Sequence, residues 1–197
     1  MSVLQKMFEG IVIPRMVKVE QKFDDTKVED VTQTLQLELN KEEIAATIRP
    51  GMRIAIGVGS RGLRHLDLLV WELVGFLKQR GATPFIIPAM GSHGGATAEG
   101  QAQILASLGI TEATVGCPIQ SSMEVIEIGK IANGLPVYAD KIAVHEADGI
   151  VYIARVKPHT AFRSQSESGL LKMLTIGLGK HRGAATCHSY GYRNMGR

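Results

Sequence analysis

His93, His159 and His188 stand in stretches rich in glycine or small hydroxyl residues, in company with Lys172, Arg61 and Ser60. Those residue types suit proton transfer and anion binding. A neutral imidazole near pH 7 is the natural base for a hydroxyl proton, and its conjugate acid can return one. Two imidazoles facing a single carbon would allow work on either enantiomer. Lys172, in SGLLKM, is an amine among Leu170, Leu171, Met173 and Leu174. Apolar surroundings depress an amine's pKa and make it a nucleophile, although a snorkelling lysine has the same pattern. Arg61, in GVGSRG, suits a carboxylate or phosphate. Gly57, Gly59 and Gly62 match a dinucleotide fingerprint, but so short a pattern equally marks a tight strand-to-helix turn. His188 is a candidate metal ligand, with no HExxH or paired Cys/His spacing beside it. His65 and His145 read as structural or exposed, and Lys180 and His181 carry no assignment.

Such residues need a scaffold that gathers them. Residues 53–59 (RIAIGVG) read as a buried strand. Residues 65–80 read as a helix with apolar positions at 66, 69, 70, 73, 74 and 77, ended by Gly81. Residues 84–89 form the next strand, and Thr97 is an N-cap for AEGQAQILASLG. A strand over 125–129 and a hairpin or crossover around PVYADKIAVHEADG lead to the strand GIVYIARV at 149–156. The alternation predicts an α/β, Rossmann-like domain with a mainly parallel, twisted sheet flanked by helices. Carboxyl ends of parallel strands share one edge, so the loops carrying Arg61, His93 and His159 are expected to line one cleft. The N-terminal part is expected to add a small β element: residues 9–21 alternate as a strand pair broken at Pro14, and TLQLELN alternates again. Asn40 is expected to cap a helix over 41–49 that Pro50 and Gly51 end.

The chain has 197 residues and a net charge of +3, unevenly spread. Residues 155–197 hold eight Lys or Arg and one acid, Glu167, while the remainder is acidic by four charges. A local positive field suits a carboxylate, a phosphate or a nucleotide. The basic residues are interleaved with glycine and apolar residues, which argues against nucleic acid. No apolar run reaches membrane length and no signal-peptide pattern opens the chain, so a cytoplasmic location is expected and no membrane partner. Cys117 and Cys187 make no disulfide framework. The last residues, SYGYRNMGR, give no closing helix or strand signal. A second, C-terminal domain is therefore expected, with exposed apolar side chains around the cleft or a disordered tail after about residue 183. Whether the chain forms a homo-oligomer stays open.

In this order the residues resemble the nickel-dependent lactate racemases and related 2-hydroxy-acid racemases and epimerases. GSHGGATAE (91–99) resembles that family's G-x-H-R-x-x-T-x-E segment, KPH (157–159) its P-H, and SGLLK (168–172) its S-G-x-x-K. His188 follows Lys172 by sixteen residues, as in the family. The resemblance implies a nickel-pincer cofactor, nickel pyridinium-3,5-bisthiocarboxylic acid mononucleotide, carried covalently on Lys172 with His188 as a nickel ligand. It implies His93 and His159 as the acid/base pair, and Arg61, Ser60, Ser168 and Gly169 as residues that hold cofactor or substrate. The implied reaction moves a hydride from the hydroxyl-bearing carbon to the cofactor and back to the other face of a planar 2-keto intermediate.

The chain also departs from that pattern. Val58 stands for the family's aspartate three residues before the arginine, Gly94 for the arginine after the first histidine, and the loop after His159 is three residues longer. These differences fall at the substrate end, which leaves lactate, another small 2-hydroxy acid and a sugar acid all open as the anionic substrate. The isolated piece, without the family's C-terminal domain, is expected to be inactive. The alternative is a non-catalytic α/β domain that binds an anionic ligand or a nucleotide-type cofactor. A hydrolase would need a G-x-S-x-G element, which is missing.

Overall fold

The structure is a computed structural model that describes residues 2–12, 14–159 and 163–191. Three helices precede the sheet: α1 (Val3–Met7), α2 (Val31–Leu39) and α3 (Glu42–Ala45). Between α1 and α2 the described residues have no regular structure, so the expected N-terminal β element is not formed there. Val12, Met16, Val17 and Val19 are each more than four-fifths exposed. Their alternation has no facing strand and no core to bury against, and a lone hairpin is marginal in water. The expected strand TLQLELN is helical, within α2. Asp30 caps it, accepting from Gln33 N at 2.8 Å. Its half-buried positions Val31, Leu35 and Leu39 recur every four residues while Leu37 is exposed, a helical stripe hidden inside the period-two pattern. Asn40 ends α2 rather than starting α3, its N–H bonding back to Gln36 O and Glu38 O. The helix α3 stops at Ala45, well before Pro50.

The core then follows as β1 (Arg53–Val58), α4 (Leu66–Gln79), β2 (Thr83–Pro88), α5 (Ala98–Ser107), α6 (Glu112–Val115), β3 (Val125–Lys130), β4 (Pro136–Asp140), α7 (Lys141–Glu146), β5 (Gly149–Ile153), α8 (Leu170–Lys172) and α9 (Lys180–Ser189). The main sheet has the order β2-β1-β5, all parallel, with Ile54 beside both Pro84 and Gly149. A separate antiparallel pair joins β3 and β4, with a bulge between Glu127 and Gly129. This is the expected α/β, Rossmann-like architecture. The small β element lies in mid-chain instead of at the N-terminus.

Both faces of the sheet are covered, which is what an uninterrupted apolar strand requires. Ile54, Ile56 and Val58 of β1 point with Ile86 into the core against α4, where Leu66, Val70, Leu73, Val74 and Leu77 recur at helical spacing. Ala55, Phe85 and Ile87 face the other way, against Ala143 of α7 and Leu178. Each fully buried Ile, Leu or Phe contributes about 1.5–3 kcal/mol of transfer free energy. Gly81 ends α4 at φ 76°, a left-handed position where a β-carbon would be strained. Gly57 is required for space instead: a β-carbon there would sit 2.6 Å from the Tyr152 ring on β5.

Candidate functional site

The strand order puts β1 between β2 and β5, so its exit loop, with Ser60 and Arg61, stands between the loops that carry His93 and His159. His93 opens a short turn of 3-10 helix, Gly94–Ala96, ahead of α5. Thr97 then caps α5 by accepting from Gly100 N at 3.0 Å. Gln101, fully buried on α5, reaches back and donates to Gly91 O at 2.9 Å and His93 O at 3.2 Å, holding the loop in place. Ser60 Oγ is hydrogen-bonded to His93 Nδ1, so this serine contacts the imidazole directly. On the far side, Glu167 accepts from His159 N at 2.6 Å and Ser164 N at 3.1 Å, and pairs with Arg163 at 3.6 Å. Ser168 Oγ accepts from Lys157 N at 2.8 Å, and Gly169 turns the chain into α8 at φ 70°. Ser168 and Gly169 thus close the loop around His159.

The helical stretch after residue 168 is not continuous. The helix α8 is only three residues long and passes into a π-helical turn, Met173–Gly177. That turn crosses the strand exits. The Met173 side chain lies against Gly59, and Ile176 lies over Gly91, which donates to Gly177 O at 3.3 Å. Lys172 therefore stands above the edge where the three loops emerge.

Electrostatics links the same groups. Lys172 acts electrostatically on both His93 and His159, and Arg61 acts on both His93 and Lys172. His93 is solvent-exposed overall, yet packing against its ring, then Arg61 and Lys172, hold its pKa below the ordinary imidazole value. The pKa of His159 is lowered by desolvation first and by Lys172 next, against the opposing pull of Glu167. Desolvation, Lys157 and Arg61 lower the Lys172 amine. The Glu167 carboxyl is held low chiefly by the His159 N–H. All three shifts run toward the uncharged form, so the two imidazoles and the amine of Lys172 each give up a proton more readily than in water. His188 is in the last, exposed turn of α9, about 12 Å of helix rise beyond Lys180. Among the described residues no three His, Cys, Asp or Glu side chains gather to hold a metal ion by themselves.

Residues 9–194 match the family model of the lactate racemase N-terminal domain. The chain belongs to that family. No curated protein matches the chain. The match spans both sheets and the loops at their strand exits, and it supports a lactate racemase-like role for this domain. As a lactate racemase N-terminal domain, the chain has no described helix long and apolar enough to cross a membrane.

Three groups that shape the site have no role assigned from the sequence. Gln101 sits one turn into α5, where a buried glutamine has no reason to appear in a helix read for apolar periodicity. Glu167 is the lone acid of a basic stretch, and that isolation was the available clue. Lys180 lies between glycines in GLGKHRG and is fully buried, paired with Asp140 at 3.0 Å.

Proposed function

We propose that the cleft racemises or epimerises a 2-hydroxy acid, with His93 and His159 as the proton-handling pair. The supporting observation is the placement of Lys172, whose amine acts on both imidazoles from above the shared strand edge. Arg61 is suited to the substrate carboxylate, since its guanidinium stands beside His93 and Lys172. One neutral imidazole takes the proton from the oxygen of the hydroxyl on the carbon whose hydride is removed, and the imidazolium returns it. Desolvation first, and the neighbouring cations after it, shift both rings toward the uncharged base form. Ser60 fixes the ring plane of His93 through Nδ1, and Glu167 fixes the backbone of His159.

The residues present fit a nickel-pincer nucleotide. A depressed lysine pKa suits covalent attachment at Lys172, and Arg61 and Lys157 give an anionic nucleotide a positive seat. A ligand that brings its own sulfur and carbon donors needs only one imidazole from the protein, which His188 would supply. When bound, the cofactor would accept and return the substrate hydride. Val58, in place of the family's aspartate, is fully buried in the core and lines no cleft, so a larger hydroxy or sugar acid fits this reading as well as lactate. Val156, Leu170 and Leu171, all more than half exposed beside the cleft, support closure by a second domain.

The test is intact-protein mass spectrometry and metal analysis of the full-length protein made together with the cofactor-synthesis enzymes. Wild type should carry an adduct on Lys172 and nickel. Lys172→Ala should carry neither, whereas His188→Ala should keep the adduct and lose nickel. A wild-type protein without the adduct would overturn the reading, and the positive cleft would then be that of an anion-binding domain.

A further inference from the structure

Lys180 combines two uncommon features. It is 0% exposed, and its backbone sits at φ 53°, in the left-handed region that non-glycine residues avoid. A fold that needed only the backbone turn would place glycine here, and one that needed only filling would place an apolar side chain. The ammonium group has definite partners instead. It stands 3.0 Å from Asp140 Oδ2, a carboxylate that is itself 0% exposed, and it donates to Pro88 O. The other oxygen of Asp140 accepts from Ala143 N at 2.9 Å, capping α7.

These partners stand at places that matter to the cleft. Pro88 is the last residue of β2, five residues before His93. Asp140 ends β4. Lys180 starts α9, between the π turn that follows Lys172 and the helix that carries His188. Around the ion pair the chain is packed to backbone contact. A β-carbon at Gly179 would lie 2.4 Å from Thr175 O, and one at Gly177 would lie 2.9 Å from Ala89 O. Arg182 stacks over the Tyr138 ring at 4.5 Å, adding a second link between α9 and β4.

We propose that Lys180 is a positioning residue: its buried ion pair with Asp140 sets the segment bearing Lys172 and His188 against the strand exit that leads to His93. The significance of those three residues rests on the function proposed above, but the placement does not. The pair is the polar pin of a joint otherwise made of glycines and close van der Waals contact. Without it, the described residues hold the π turn above the sheet edge by the Gly91–Gly177 bond, the Arg182–Tyr138 stack and apolar contacts.

The decisive variant is Lys180→Met with Asp140→Asn in the full-length protein. The asparagine keeps the cap on α7, and the pair is removed without leaving a buried charge alone, a change that protein folds commonly tolerate. Three quantities are read: the thermal midpoint; in protein made without the cofactor-synthesis enzymes, the pH profile of Lys172 acylation by a limiting amine-reactive ester, scored by peptide mass spectrometry; and, in cofactor-loaded protein, the rate of nickel loss to a chelator. Lys172 faces Lys157, Arg61, His93 and His159, and its pKa reports its place among them. The midpoint of unfolding should stay near that of wild type. The Lys172 profile should move to higher pH by roughly half a unit or more as the amine leaves the cleft, and nickel should be lost to a chelator several-fold faster. A folded variant with an unchanged Lys172 profile would overturn the proposal. So would a variant that does not fold, because the pair would then serve the fold and not the site. A wild type lacking the Lys172 adduct would refute the racemase reading while leaving the acylation profile interpretable.

Discussion

Replacing Asp140 by asparagine removes one charge and almost no volume. The cap on Ala143 N survives, because an amide oxygen can accept the same bond. What changes is Lys180, whose ammonium is left in a site with 0% exposure, facing only Pro88 O. Breaking a buried pair from one side costs about 3–5 kcal/mol. For a domain of this size that is a fall in thermal midpoint of about 6–20 °C. The loss should also depend on pH with a definite sign. Burial already holds the Lys180 pKa below its ordinary value while Asp140 props it up, so removing Asp140 lowers it further. Between that folded pKa and the unfolded lysine value of about 10.4, the unfolded chain binds more protons, and stability rises with pH. The deficit relative to wild type should therefore narrow as pH rises from the lowered folded pKa toward the unfolded lysine value, by at most about 1.4 kcal/mol per pH unit. Urea unfolding at several pH values, with unchanged slopes in denaturant, measures both quantities. A deficit below about 1 kcal/mol, or one flat across that range, would refute a buried, charged Lys180–Asp140 pair.

Arg61→Met should raise the midpoint of His93 toward the ordinary value of about 6.5, because a like charge that lowers it is gone while the burial remains. An NMR titration of the imidazole checks this, and an unmoved midpoint would mean that Arg61 does not face His93. Gly57→Ala should destabilise the domain by about 1–3 kcal/mol, since its β-carbon would meet the Tyr152 ring at 2.6 Å. Urea unfolding at neutral pH is sufficient, and a neutral effect would place the ring elsewhere.

The parts of the fold legible in the sequence are those where one pattern dominates. RIAIGV is apolar on both faces, and the stripe from Leu66 to Leu77 admits only a helix, so β1 and α4 were readable within a residue or two. Thr97 was readable as a cap because a side-chain oxygen before a helical run has one obvious use. TLQLELN misled because Leu35 and Leu39 satisfy both periods, and only packing against α4 chooses between them. The meeting of the three loops followed from parallel strands sharing an edge, without knowledge of the order β2-β1-β5. The break of the helix after Lys172 was not legible. It depends on a π turn and on the left-handed Lys180, which close contacts between distant strands enforce and local propensity does not.

The centre of the sheet is made early and one flank late. Ile54 of β1 pairs with Gly149 of β5, 95 residues downstream, whereas β2 follows α4 directly. At translation rates of about 5–20 residues per second, one edge of β1 stays open for about 5–20 s after it leaves the ribosome. During that interval a strand apolar on both faces offers unpaired N–H and C=O groups to any neighbouring nascent chain. The same order of strands that puts the loops of His93, Arg61 and His159 side by side thus leaves one edge of β1 unpaired during synthesis. Its yield in a foreign host should respond more to slowed initiation and added chaperone than to any change in the cleft.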